Sequence, residues 1–181
     1  MIKINSGLVS KIHLRFRDSI MIRRKICFFG ALIWMVIIFA FSAQPSDEST
    51  QTSLAVGTMI CRIIVPGYES LPLEEQRQMA DNIEFPVRKT AHATEYALLS
   101  ILFFGTLVKD AKAKKKTGLL AIGFTTIYAI SDEIHQWFIP GRNCHIRDVL
   151  IDTVGAVLGI AMLWLILYLN QWRKNRSKKD R

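Results

Sequence analysis

Three cysteines in 181 residues are too few for a disulfide framework, and their spacing matches no metal-binding pattern. Buried or idle thiols are the default reading, with Cys61 and Cys144 the one pair that could meet on the same side of a membrane. The sequence has no nucleophile elbow, no HExxH pair, no phosphate-cradling glycine loop and no tandem phosphatase signature, so the common hydrolase and nucleotide chemistries have no motif to stand on. Acids are scarce where bases gather. Residues 1–25 hold seven Lys or Arg, residues 109–117 five and the tail after Leu169 six, against three acids in total. The net charge of +9 therefore sits in three blocks. Those blocks lack the repeated aromatic platforms that base stacking needs, which argues against nucleic acid as a partner. Attraction to anionic lipid headgroups accounts for them more simply.

Half of the residues are hydrophobic, a share that suits a small polytopic membrane protein. An apolar helix of about 20 residues crosses the hydrocarbon core, and four such segments are predicted, over about 26–43, 90–108, 118–137 and 149–169. The middle two require charged ends. Basic blocks alternate with these crossings as the positive-inside rule demands. The expected fold is therefore all-α, with four transmembrane helices and both termini cytoplasmic. Residues 1–25 form a basic cytoplasmic lead, 26–169 the membrane domain and 170–181 a basic cytoplasmic tail. Met21, followed by Ile-Arg-Arg-Lys, resembles an alternative start, and the first apolar run is too long for a signal peptide.

The first outer loop, 45–89, is expected to carry short amphipathic helices. Leu54, Met59, Ile60, Ile63 and Ile64 recur at roughly helical spacing and suit an outer surface. Pro66-Gly67 should end that helix, Pro72 should open a second with acids in its first turn, and Pro86 should break or kink the entry to the second span.

Rise per residue converts sequence into depth. Arg88 and Lys89 mark the outer edge of the second span, so His92 and Glu95 fall roughly 5–10 Å inward. Asp132 lies about 24 Å along the third span from its inner end, and Asp148 and Asp152 roughly 2–8 Å into the fourth. Three helices thus bring ionisable groups to one outer layer. Steps of three and four residues put Arg88, His92, Glu95 and Tyr96 on one face, pair Asp132 with Gln136, and align Asp148, Asp152, Gly155 and Gly159. Gly155 and Gly159 form a small-residue helix contact. Ile139-Pro140-Gly141 should turn tightly and throw Arg142 back over the helix ends. A carboxylate such as Asp152, just inside an uncharged run, is costly unless it has a partner. Tyr96, Tyr128 and Trp137 read as packing or interfacial aromatics, His135 as an interface histidine, and His13 and His145 as solvated.

FSAQ at Phe41–Gln44, RKTAHATEYALL at Arg88–Leu99, YAISDEIHQWFIPGR at Tyr128–Arg142 and RDVLIDTVGAVLG at Arg147–Gly159 together resemble the VanZ-like family of small membrane proteins. Asp152 stands where that family often has Asn, and Asn143-Cys144-His145 fills a turn expected to be small and polar. The resemblance implies lowered susceptibility to teicoplanin-type glycopeptides through action at the cell envelope, without a settled biochemical activity. Three readings of the polar layer stay open. As a binding pocket, it would use Arg88, Lys89, Gln136, Arg142, Asp148 and Asp152 to hold an anionic headgroup or peptide carboxylate. The partner would be a membrane lipid, a lipid-linked cell-wall precursor or the glycopeptide itself. As a membrane-embedded enzyme, it would use His92, Glu95, Asp132 and Glu133 on a lipid-linked substrate, as acid–base groups or as the ingredients of a divalent-metal site, with no cofactor and no specific metal ligand set predicted. As structural glue, it would be an ion-pair cluster holding short helices in register.

Overall fold

A computed structural model describes residues 6–109 and 114–179, with side chains from 18 to 177. Residues 1–5, 110–113 and 180–181 lie outside the described residues, as does the side chain of His13. Five α-helices account for most of the rest, and no strand occurs among the described residues. They are α1 (Ser6–Ser42), α2 (Ser46–Ile64), α3 (Leu73–Leu107), α4 (Lys114–Gln136) and α5 (Ile146–Lys179), with a short 3₁₀ turn at Tyr68–Ser70.

Two of the four expected crossings, Asp18–Ser42 in α1 and Ile146–Ser177 in α5, are long and apolar enough to cross a membrane by length and composition. Much of their apolar surface faces outward, including Ile26, Phe29, Ile33 and Val36 on α1 and Leu158, Met162 and Leu165 on α5. The helices α3 and α4 cover the other two predicted stretches. Their apolar runs are diluted by Arg88, Lys89, His92 and Glu95 in α3 and by Asp132 and Glu133 in α4, so hydropathy alone does not mark them as spans.

The sequence predicted a break or kink at Pro86; there is no break, since α3 runs as one helix from Leu73 through Pro86 to Leu107. The separate short helix expected after Pro72 is therefore the N-terminal part of α3. Proline forfeits one backbone hydrogen bond, and α2 and α5 pack against α3 along its length and hold it helical. Pro72 caps this helix, with Glu74 and Glu75 in its first turn as expected; carboxylates there complement the helix dipole.

Every other helix touches α3. Small residues allow the approach. A Cβ placed on Gly155 would collide with the Ala93 carbonyl, and one on Gly159 would come within 2.9 Å of Ala97 Cα. The expected contact at these glycines is thus made within the chain, between α5 and α3. Gly105 meets Cys27 where α1 crosses α3, and Gly118 meets Trp164 where α4 crosses α5. Close backbone approach is how helices pack where lipid removes the hydrophobic driving force. Polar bonds supplement it: Tyr128 donates to the Met35 carbonyl at 2.7 Å, Trp34 to that of Glu95 at 2.9 Å and Ser100 to that of Ala156 at 3.0 Å.

The amphipathic helix expected in the outer loop is α2, ending at Ile64 just before Pro66-Gly67. Its inward stripe is Ser53, Gly57 and Cys61, one residue per turn, packed against α3. The apolar residues that suggested the helix lie elsewhere: Met59, Ile63 and Ile64 are exposed. All three cysteines are free thiols; Cys61 is buried and Cys144 exposed.

Candidate functional site

The polar groups converge where the ends of α1, α3 and α4 meet the start of α5. The 137–145 connection positions the most important of them. Ile139 accepts a hydrogen bond from the Arg142 N–H at 3.1 Å, closing a turn with Pro140 and Gly141 at its centre. Gly141 has φ +73°, the left-handed conformation that a type II turn requires at that position. Ser46 N–H donates to the Pro140 carbonyl at 3.3 Å, tying the turn to the start of α2. The expected consequence follows: Arg142 folds back over the helix ends. Its Nε donates to the Gln44 carbonyl at 2.9 Å and its Nη1 to Gln136 Oε1 at 3.3 Å. Both acceptors are neutral. Burial first, and then the nearby Arg88, lower the Arg142 pKa from its ordinary value, while Asp132, Glu133 and Asp148 act in the opposite sense.

Around this turn lies a cavity of about 240 Å³. Of the ten residues picked from sequence, eight line it: Arg88, Lys89, His92, Glu133, Gln136, Arg142, Asp148 and Asp152. Lys89 Nζ pairs with Asp148 Oδ2 at 2.7 Å, joining α3 to α5. Arg88 lies 3.3 Å from Glu84, one turn back on its own helix. Glu133 is only 2% exposed and accepts the His145 backbone N–H at 3.0 Å. Asp152 is buried at the cavity wall.

Two residues fall elsewhere. Glu95 lines a second cavity of about 220 Å³, walled by α1, α2 and α3, which shares Arg88, His92 and Arg142 with the first. His92 Nδ1 stands 3.7 Å from Glu95 Oε2, so the imidazole separates the two spaces. Asp132 lines neither cavity. It is 4% exposed, and its Oδ2 accepts from Ser42 Oγ at 2.8 Å, Tyr96 at 3.1 Å and Gln136 Nε2 at 3.1 Å. Gln136, one turn on along the same α4 face, reaches the cavity, whereas the Asp132 carboxylate lies deeper and is taken up by donors from α1, α3 and α4. Acid–base chemistry on a cavity-bound ligand by Asp132 is therefore not supported by its position; it organises Ser42, Tyr96 and Gln136 instead.

Sequence reasoning missed Ser42, which accepts from Gln136 Nε2 at 2.6 Å while donating to Asp132. Its only sequence signal was its place in FSAQ. Tyr96, read as a packing aromatic, is fully buried and also serves as a hydrogen-bond donor. Ser46, Asn143 and His145 complete the cavity rim. Trp137, 70% exposed, and His135, stacked on Phe39 at 4.4 Å, stand outside the site as expected. No cluster of three or more His, Cys, Asp or Glu side chains suited to holding a metal occurs among the described residues.

Membrane-length apolar helices, a small-residue bundle and a charged cavity enclosed at one end describe a helical protein of membrane type with a polar site. The chain belongs to the VanZ/LLP1 family, whose model matches residues 27–168 and so takes in the greater part of both apolar spans and every residue of the site. Comparison with the curated proteins and with the solved structures yields no match to either.

Proposed function

We propose that the chain is a four-span membrane protein whose cavity faces outward and binds an anionic envelope group, either a lipid headgroup or a peptide carboxylate. Such binding would lower susceptibility to teicoplanin-type glycopeptides. One observation carries this reading. Arg142 is half-buried at the cavity, yet its hydrogen-bond acceptors are the neutral Gln44 carbonyl and Gln136 amide. No carboxylate lies within ion-pair distance of it among the described residues. A half-buried guanidinium without an ion-pair partner can receive one, and its planar fork suits carboxylate or phosphate. The other cations are already engaged, Lys89 by Asp148 and Arg88 by Glu84.

The four crossings and their orientation rest on the positive-inside distribution, on the family and on the outward apolar surface of the bundle. The test uses a susceptible host in which the intact protein raises teicoplanin resistance. Arg142→Ala at unchanged membrane abundance should return susceptibility to the empty-vector level, with Arg142→Lys intermediate. Full resistance from Arg142→Ala would reject the reading.

A second reading, chemistry on a lipid-linked substrate, is favoured by His92, which faces the main cavity and has Glu95 behind it as an orienting carboxylate. Proton transfer through such a pair is ordinary general acid–base chemistry. Envelope lipid and muropeptide profiles of a deletion strain, complemented with wild type or His92→Ala, separate catalysis from binding. Catalysis predicts an accumulated substrate in the His92→Ala strain, and binding alone predicts none.

A further inference from the structure

The opposite end of the bundle carries a further cavity, separate from the two polar ones. Helices α1 and α3 touch tightly at Cys27 and Gly105. Straight helices that cross must diverge on either side of the crossing, and toward the basic end the gap between them opens into a space of about 620 Å³. Leu163 and Leu167 of α5 border that space, and Ile20, Phe104 and Val108 make most of its remaining wall apolar. Three cations border it from three different parts of the chain: Arg23 on α1, Lys109 just beyond α3 and Lys114 at the start of α4. Arg24, the neighbour of Arg23, is committed elsewhere, its Nε donating to the Thr106 carbonyl at 2.8 Å.

An apolar slot rimmed by cations is complementary to one kind of molecule: an anionic headgroup with a hydrocarbon chain attached. Basic pockets between helices at the cytoplasmic boundary bind anionic lipids on this basis. We propose that this cavity is a binding site for an anionic phospholipid, one acyl chain lying against Phe104, Val108 and Leu163 and its phosphate among Arg23, Lys109 and Lys114. The site differs from a general basic surface in one respect. Cations on a flat face attract any anionic lipid loosely and exchange it freely, whereas an enclosed slot retains one molecule through purification. The bound lipid would also fill the wedge between α1 and α3 that no side chain among the described residues occupies, so it would be part of the packing at this end.

The test is native mass spectrometry of the full-length protein, delipidated in detergent and mixed with phosphatidylglycerol or phosphatidylcholine of identical acyl chains. One phosphatidylglycerol should be retained per chain, with a preference over phosphatidylcholine of about tenfold or more, since each Lys or Arg near an anionic surface contributes roughly a fivefold factor. Arg23→Ala, Lys109→Ala and Lys114→Ala combined should erase the preference. Leu167→Trp, which keeps every charge but fills the slot, should reduce retention of both lipids. Retention unchanged in the Leu167→Trp variant, with circular dichroism showing it folded, overturns the slot. A preference that survives removal of all three cations overturns the headgroup assignment, and so does equal retention of the two lipids by wild type. Competition by free glycerol phosphate at the same concentration as the lipid would show a site for soluble phosphate and refute the lipid as occupant.

Discussion

Replacing Asp132 separates organisation from chemistry. Its Oδ2 is shared by three donors from three helices: Ser42 at the end of α1, Tyr96 in α3 and Gln136 in α4 itself. Removing the carboxylate in Asp132→Ala strands the Tyr96 hydroxyl, which is fully buried, and leaves Ser42 with Gln136 as its one side-chain partner. A buried polar group left without a partner costs about 1–3 kcal/mol in water-soluble proteins. Double-mutant cycles in membrane helices give a mean near 0.6 and a maximum near 1.7 kcal/mol per interhelical bond. Two bonds lost across helices therefore predict about 1–3 kcal/mol of destabilisation, partly offset by the relief of desolvating the acid. The Asp132→Asn variant keeps an acceptor oxygen and should cost less than half as much. Tyr96→Phe removes one bond and should cost about 0.6–1.7 kcal/mol. Reversible unfolding in mixed micelles, followed by circular dichroism, measures all three, and the Asp132→Ala/Tyr96→Phe double variant should be less destabilised than the sum of the singles. If Asp132→Ala unfolds at the wild-type denaturant concentration yet abolishes resistance, the carboxylate acts chemically and its placement here as an organiser is wrong.

Other substitutions probe the frame and the topology. Gly155→Ala puts a methyl against the Ala93 carbonyl and should destabilise by about 1–3 kcal/mol, as overpacking does; a neutral result in the same unfolding assay would mean that α3 and α5 are not packed this closely. Gly141→Ala forces a side chain into φ +73° and within 3.0 Å of Ser46 Cβ, at a cost of about 1–2 kcal/mol. Because this turn aims Arg142, resistance should fall with it, and Gly141→Asn should retain more activity than Gly141→Ala. Cys144 is exposed on the connection beside the cavity, so a membrane-impermeant maleimide should label it in intact cells while sparing buried Cys61. Labelling of Cys144 only after lysis would place the cavity on the cytoplasmic side and reject the proposed orientation.

Sequence patterns located the polar layer better than they located its walls. Steps of three and four along α3 and α5 correctly grouped Arg88 with His92 and Asp148 with Asp152, because residues on one helix keep their relative angles whatever the tertiary structure. Which neighbour each face meets is set by helix rotation and crossing, and periodicity within one helix carries no such information. Asp132 and Glu133 are adjacent in sequence and both buried, yet one bonds Ser42, 90 residues away, and the other the His145 backbone. The α2 helix was legible from its apolar residues even though these are not the ones it buries. In a membrane setting, lipid can satisfy an apolar face while small residues make the protein contact, which inverts the soluble-protein rule. Pro86 does not break α3 for a related reason: proline lowers the stability of an isolated helix, but α3 is supported by its neighbours.

The continuity of α3 has a mechanical consequence. A break at Pro86 would have made the outer segment a tether, free to swing without disturbing the residues beneath it. One uninterrupted helix is instead a lever. Ala80, pressed against Gly57 of α2, and His92, at the wall of both polar cavities, are separated by about 18 Å of the same rod. Its N-terminal end is moored by Tyr68, whose hydroxyl donates to the Gln76 carbonyl at 2.7 Å. A displacement of α2 is therefore coupled to the imidazole through one helix, and the reverse holds as well.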